Sequence, residues 1–230
     1  PPETAATWEG GAVQPAALPL PAPPHPVPPR QPAEMMSFHG ADWLERPERE
    51  AQEKPEEVVR AMELKDGQVV AEIGSGTGYM SRRVARAVAP AGKVYAEDIQ
   101  PEMVDLTRKY AARDGIANLV PVLGSETDPK LPKAGVDRVL LVDVYHEFQK
   151  PEQMLARIRD CLAPGGRVYL VEYRLEGESA EHIRREHRMS VEQVLSEWNR
   201  AGFELVRRLE TLPSQHLFVF TTRRGARALP

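Results

Sequence analysis

The stretch Val69–Arg83, VVAEIGSGTGYMSRR, decides how this chain is read. An apolar run ends in an acidic residue and passes into glycines at 74, 76 and 78, after which a helical pattern begins. A strand, a turn too tight for a Cβ and a helix start with unpaired N–H groups are the parts of a nucleotide-type cofactor loop. In the dinucleotide fingerprint the third glycine or alanine stands at the sixth position of the motif. That position is Tyr79 here, and Gly78 fills the fifth, so NAD and FAD are disfavoured.

Outward from this loop, strand-like segments recur at 68–73, 92–98, 119–123, 136–144, 166–173, 203–209 and 215–222, separated mostly by helical patterns. The alternation predicts an α/β fold with a Rossmann-like, doubly wound, mostly parallel sheet of seven strands. The helices carry one-sided apolar stripes: Met154, Leu155, Ile158 and Leu162 in one, and Val191, Val194, Leu195, Trp198 and Ala201 in another. Gly165-Gly166 and Gly202 stop these helices before the next strands. No helical pattern separates the last two strands, which points to an antiparallel C-terminal hairpin.

The run E-I-G-S-G-T-G after two valines resembles motif I of the class I S-adenosylmethionine-dependent methyltransferases, and LAPGGRVYLVEY resembles the helix-turn-strand that this family places late in its domain. The resemblance extends from about Val69 to Phe220. It implies S-adenosylmethionine as cofactor and methyl transfer as the reaction. Carried onto this chain, it implies cofactor contacts from Glu72, Gly74, Ser75, Gly76 and Gly78, with Glu72 in place of the more usual Asp. KVYAEDIQPEM matches the family pattern that puts the ribose on Asp98, twenty residues after Gly78, because two vicinal hydroxyls seek one bidentate acceptor. Glu97 would then point away, or the two would exchange roles if the strand ended one residue earlier. Ile99 is expected on the adenine face. The Asp that often follows the third strand is missing, which leaves Ser125 and Glu126 (or Asp128) for adenine, and Asp143 stands near the end of the fourth strand.

Methyl transfer from a sulfonium is an in-line displacement in a dry pocket, and acceptors that arrive protonated benefit from a positioned base. Tyr145, His146, Glu147 and Phe148 fall where the family places residues between sulfur and substrate. His146, Glu147 and His187 are therefore the catalytic candidates. Glu172, Arg174, Gln215 and His216 are further polar groups at strand ends. No metal site is expected, since His182 and His187 lie five apart on an irregular basic segment without a nearby cysteine.

The chain divides into a proline-rich, disordered arm (1–34), an N-terminal helical lid (35–64) that brings Phe38, His39 and Trp43 towards the site, the methyltransferase-like domain (65–224) and a flexible tail (225–230). Half of the 22 prolines fall in the first 32 residues, so deleting these is expected to leave thermal stability nearly unchanged. A net charge of −4 gives no general attraction to nucleic acid. The single cysteine, Cys161, reads as a core thiol, and no run is long enough to span a membrane. The resemblance implies a cytoplasmic chain, because its cofactor is made there; a signal peptide removed from before the proline arm would make it exported. With no target-recognition domain and D-V-Y-H where nucleic-acid enzymes carry N-P-P-Y, the expected acceptor is a small molecule methylated on O, N, S or C. The alternatives are a cofactor-binding protein without activity and a nicotinamide-dependent oxidoreductase. Oligomeric state is left open.

Overall fold

The computed structural model of the chain describes residues 30–223. Most of the proline-rich arm and the tail expected at 225–230 lie outside the described residues. Among the described residues eight strands make one sheet: β1 (Val69–Ile73), β2 (Lys93–Asp98), β3 (Leu119–Leu123), β4 (Val136–Val142), β5 (Leu162–Arg174), β6 (Arg188–Met189), β7 (Phe203–Leu209) and β8 (Gln215–Thr222). Their spatial order is β3-β2-β1-β4-β5-β8-β7, with β6 paired to β5. The first five are parallel, and β8 runs antiparallel to both β5 and β7. All seven expected strands form. The eighth, β6, is two residues long, too short to leave a periodic signal. Strand β5 begins at Leu162 rather than 166, and its register to β4 slips between Leu162 and Arg167, so the Ala163–Gly166 segment is taken up as an irregularity.

The helices are α1 (Ala41–Leu44), α2 (Arg49–Gln52), α3 (Pro55–Ala61), α4 (Tyr79–Ala87), α5 (Pro101–Arg113), α6 (Pro151–Cys161) and α7 (Val191–Arg200). Two apolar layers cover the two faces of the sheet. Successive strand residues supply opposite layers: Ala71 and Ile73 belong to one and Val70 to the other. The first layer is rich in aromatics, with Trp198 stacked on Phe220 at 4.4 Å between ring centroids. Cys161 lies in this layer, and burial pushes its thiol up to about 12, as a core thiol requires. The chain reverses strand order beside β1, with β2 on one side and β4 on the other. That is the switch point where open α/β sheets leave a crevice at the C-terminal strand ends.

The proline-rich arm does not extend to residue 34. Ala33 is buried and its N–H donates to the His146 carbonyl at 3.0 Å. Arg30 donates to the carbonyls of Tyr145 at 2.8 Å and His146 at 2.7 Å, lies over the Tyr145 ring and pairs with Glu197 at 3.3 Å. A lone arginine among prolines gives no pattern that would reveal these long-range partners. Arg30→Ala is expected to cost about 1–3 kcal/mol, because charge-assisted bonds to buried carbonyls are lost. Urea unfolding checks it; an unchanged midpoint would show that the contacts of Arg30 add nothing to stability.

Candidate functional site

A cavity of about 860 Å³ opens at the switch point. Its floor is Ile73, Gly74 and Gly76 from the end of β1, Glu97, Asp98 and Ile99 from β2, and Val142, Asp143 and Val144 from β4. Met35–Ser37, Trp43 and Leu44 roof one side, and His182–Arg184 with His187 wall the other. The roof is stapled down by polar contacts. Phe38 N–H donates to the Gln100 amide oxygen at 2.9 Å, Gln100 donates back to the Met36 carbonyl at 3.0 Å, and Met36 N–H reaches Glu147 at 3.3 Å. Glu45, just past α1, accepts from the Thr77 hydroxyl at 2.5 Å and pairs with Arg82 at 2.7 Å, tying the lid to the glycine loop.

The loop has the backbone its glycines foretell. Gly74 and Gly76 have φ of 68° and 54°, the left-handed region. A Cβ at Gly74 would stand 2.3 Å from Val144 Cγ2, and one at Gly76 would stand 2.6 Å from Leu44 Cδ1. Gly78 caps α4 and packs on Thr107, away from the cavity wall.

The sequence-derived cofactor residues divide into two groups. Gly74, Gly76, Asp98, Ile99, Glu126 and Asp143 all line the cavity. Glu72, Ser75, Gly78 and Ser125 are not part of its wall. Glu72 is buried and accepts from the Ser81 hydroxyl of α4; burial raises its pKa to about 7. Ser125 closes a turn with Asp128. Glu97 does not point away: it lines the cavity together with Asp98, because β2 ends as the two carboxylates reach the loop. Asp98 accepts from Gly76 N–H at 2.8 Å with one oxygen and from Gln100 N–H at 2.9 Å with the other. Glu97 accepts from Gly74 N–H at 3.4 Å through one oxygen, and its other oxygen is buried without a partner among the described residues. Burial, reinforced by Asp98, raises Glu97 to about 8.

Asp143 adopts φ 50°, a left-handed conformation that costs a non-glycine residue about 1–3 kcal/mol. One of its oxygens accepts from Gln215 at 2.8 Å; the other is buried without a partner among the described residues. Burial, then Glu53 and Glu172, raises its pKa well above that of an ordinary aspartate.

The catalytic candidates His146, Glu147 and His187 meet at the far end of the cavity, although His187 is remote in sequence. Glu172, wholly buried at the end of β5, organises them. It accepts from the Tyr145 N–H at 2.8 Å, the His146 N–H at 3.3 Å and His146 Nδ1 at 2.7 Å. The other ring nitrogen of His146, Nε2, lies 3.1 Å from His187 Nδ1. Burial disfavours the His146 charge, yet Glu172 outweighs it and the pKa rises; burial and the facing His146 lower that of His187. Burial raises Glu147 to about 7. Tyr145 turns the other way, into the aromatic layer, where its hydroxyl donates to Glu197 at 2.6 Å. Phe148 and Trp43 line the cavity, whereas Phe38, His39, Arg174 and His216 do not. Arg174 pairs with Glu210 at 2.9 Å, and His216 lies between Glu210 and Glu176.

A family model described as a methyltransferase domain matches residues 70–166. The chain is 29% identical over 109 residues to a protein-L-isoaspartate O-methyltransferase of Methanothrix thermoacetophila, covering 47% of this chain and 49% of that one. It is 27% identical over 110 residues to a ubiquinone/menaquinone biosynthesis C-methyltransferase of Cupriavidus metallidurans, covering 48% of this chain and 43% of that one. The chain thus spans about half the length of the curated relatives it matches. Among solved structures, an S-adenosylmethionine-dependent methyltransferase from Aquifex aeolicus superposes with a TM-score of 0.76 at 24% identity, over 81% of this chain and 98% of that one.

The Glu72 carboxyl carries a pH signature. Its pKa is raised from 4.5 to about 7 on folding. The stability it contributes is therefore fully present below about pH 4.5 and lost as pH rises through about 7, amounting to about 3 kcal/mol. Glu72→Gln, neutral at every pH, is expected to be more stable than the parent at pH 8 and to lose that advantage at pH 5. Urea unfolding of both chains at the two pH values reads the difference; a gap that does not change with pH would mean that Glu72 is ionised throughout.

Proposed function

We propose that this chain, which carries a class I S-adenosylmethionine-dependent methyltransferase domain, transfers the cofactor's methyl group to a small-molecule acceptor seated at the His146–Glu147–His187 end of the cavity. The observation that carries the reading is the continuity of one cavity from the glycine loop to that polar end.

The residues present fit S-adenosylmethionine. Gly74 and Gly76 present bare backbone to the cavity in a left-handed turn, where a Cβ would collide with Val144 or Leu44. Each Asp98 oxygen accepts one backbone N–H and keeps a lone pair for a ribose hydroxyl. Ile99 offers an apolar edge for adenine, with Glu126 and the Glu97 carboxyl beside it. The unpartnered oxygen of Asp143 suits the ammonium of the amino-acid portion. Glu72 and Ser75 are outside the wall: Glu72 holds α4 through Ser81, and Ser75 holds the loop through its backbone, its N–H donating to the Glu97 carbonyl and its carbonyl accepting from Gly78 N–H.

The cofactor supplies an electrophilic methyl carbon on a sulfonium. The chain's own residues do the rest. Trp43, Leu44 and Met36 from the lid, and Ile183 from the opposite wall, give the cavity apolar surface that disfavours water beside the reacting groups. An acceptor hydroxyl or amine must lose its proton as its lone pair attacks. The nitrogens and carboxylate at the far end are placed to take that proton, with His146 held in one orientation by Glu172. A roof formed by the chain itself favours an acceptor that fits inside the cavity over one presented by a folded protein. The relatives' names motivate an isoaspartyl peptide as the second acceptor class to test.

The test is release of S-adenosylhomocysteine on incubation with phenols, amines, thiols, quinones and an isoaspartyl peptide. Turnover of a small acceptor supports the reading; turnover of the peptide alone replaces it, and no turnover alongside tight cofactor binding leaves a binding protein. Asp98→Ala is expected to weaken S-adenosylmethionine binding by about 1–3 kcal/mol in calorimetric titration. Unchanged affinity would move the ribose contact to Glu97. His146→Ala is expected to lower turnover about 10²–10⁴-fold with cofactor affinity retained, as loss of proton transfer requires; full turnover would remove His146 from the reaction.

A further inference from the structure

We propose that His146, His187 and Glu147 form a site for one divalent transition-metal ion at the acceptor end of the cavity. The two imidazoles present ring nitrogens, Nε2 of His146 and Nδ1 of His187, 3.1 Å apart with the ring planes at 89°. Two nitrogens about 2.1 Å from a shared ion, with about 90–110° between them at the ion, are themselves about 3.0–3.4 Å apart, so the observed spacing already suits a common ion. Glu147 joins them: a carboxylate oxygen of Glu147 and one ring nitrogen of each histidine all lie within 4.8 Å of one another, near enough to complete a two-histidine, one-carboxylate set by a turn of its side chain.

A second, independent feature sits behind the first ligands. His146 gives its Nδ1 proton to Glu172, a carboxylate with no exposure at all, at 2.7 Å. That bond leaves Nε2 as the lone-pair nitrogen facing His187, and it is the carboxylate-histidine arrangement that orients metal-binding imidazoles. Glu172, Glu147 and Asp143 are the carboxyl groups facing His146, with Arg184 the cationic group beside His187. Three protein ligands on one side of an ion leave its other positions open to the cavity, which is the pattern of a reactive rather than a structural centre. The site was hidden in the sequence because its ligands come from the turn after β4 and the turn before β6, and the paired histidines are 41 residues apart.

The metal reading stands on this geometry alone, and only its consequence rests on the acceptor placement given above. A divalent ion beside the acceptor lowers the pKa of a hydroxyl or amine that approaches it, and the imidazoles then serve as ligands instead of proton acceptors.

Calorimetric titration of the tag-free, chelator-dialysed chain with Zn²⁺ and, separately, Mn²⁺, without cofactor or acceptor, tests the site. One ion per chain is expected. His146→Ala and His187→Ala should each weaken binding at least about 100-fold, and Glu172→Gln about 10–100-fold, as loss of an orienting partner does. His182→Ala should bind as the parent does. Retained S-adenosylmethionine binding confirms that each variant is folded, and His187→Gln replaces any variant that loses both ligands. No ion bound by the parent chain, or unchanged affinity in both histidine variants, overturns the proposal and leaves the methyl-transfer reading untouched. Metal binding without any methyl transfer would overturn that reading and keep the site.

Discussion

The arrangement of the reacting end depends on one buried carboxylate. Glu172 has no contact with solvent, and it takes the two backbone N–H groups of Tyr145 and His146 together with the His146 ring. Removing an ionised carboxylate from water is costly unless its oxygens are satisfied, and three donors from one turn do that. In return the turn after β4 is pinned to the end of β5. The same turn carries the carbonyls that receive Arg30 and Ala33, so the roof of the cavity inherits its position from Glu172 as well.

Much of the fold was legible because its signals are local and repeated. The glycines at 74, 76 and 78, the alternation of strand and helix patterns and the stripes of α6 and α7 all report on neighbours within one or two turns of chain. The two-residue strand β6 and the early start of β5 left no such trace, since a strand that short has no period and the β5 irregularity depends on register with β4. The site was legible in part for the same reason. Gly74, Gly76, Asp98 and Asp143 reach the cavity through strand ends that the sequence marks. Glu97 was assigned outward by strict alternation, yet β2 ends there and the loop draws both carboxylates in. Tyr145 was placed towards the substrate by the family resemblance, and the aromatic layer around Trp198 claims it instead. Glu172 stood out only as a polar strand end; its bond to His146 spans 26 residues and needs the folded sheet to be seen.

The lid adds a constraint on what can enter. Its α3 end is anchored in the core by Val58 and Met62, and beside the cavity its contacts to the body are polar and partly buried: Glu45 to Thr77 and Arg82, and Gln100 to Phe38 and Met36, with Arg30 ahead of it bound to the turn after β4. Bonds of this type are directional, so the roof is held in one place and gives the cavity a shape rather than a mere covering. Glu45 matters most here, since it touches the glycine loop and the lid together and so links the closure of the roof to the loop beneath it.

The floor of the cavity is lined with carboxyl groups. Glu97, Asp98 and Asp143 sit on its floor with pKa values raised chiefly by burial, and two of the three keep an oxygen without a partner among the described residues. A set of buried carboxyls that is under-satisfied in the chain by itself is a poor way to stabilise a fold and a good way to recognise a cation. S-adenosylmethionine carries positive charge on its sulfonium and its ammonium, and its ribose hydroxyls donate, so it supplies what these oxygens lack. The strain at Asp143 fits the same account. A left-handed aspartate held between β4 and Gln215 costs stability, and Asp143 spends that cost at the cavity floor rather than in the core.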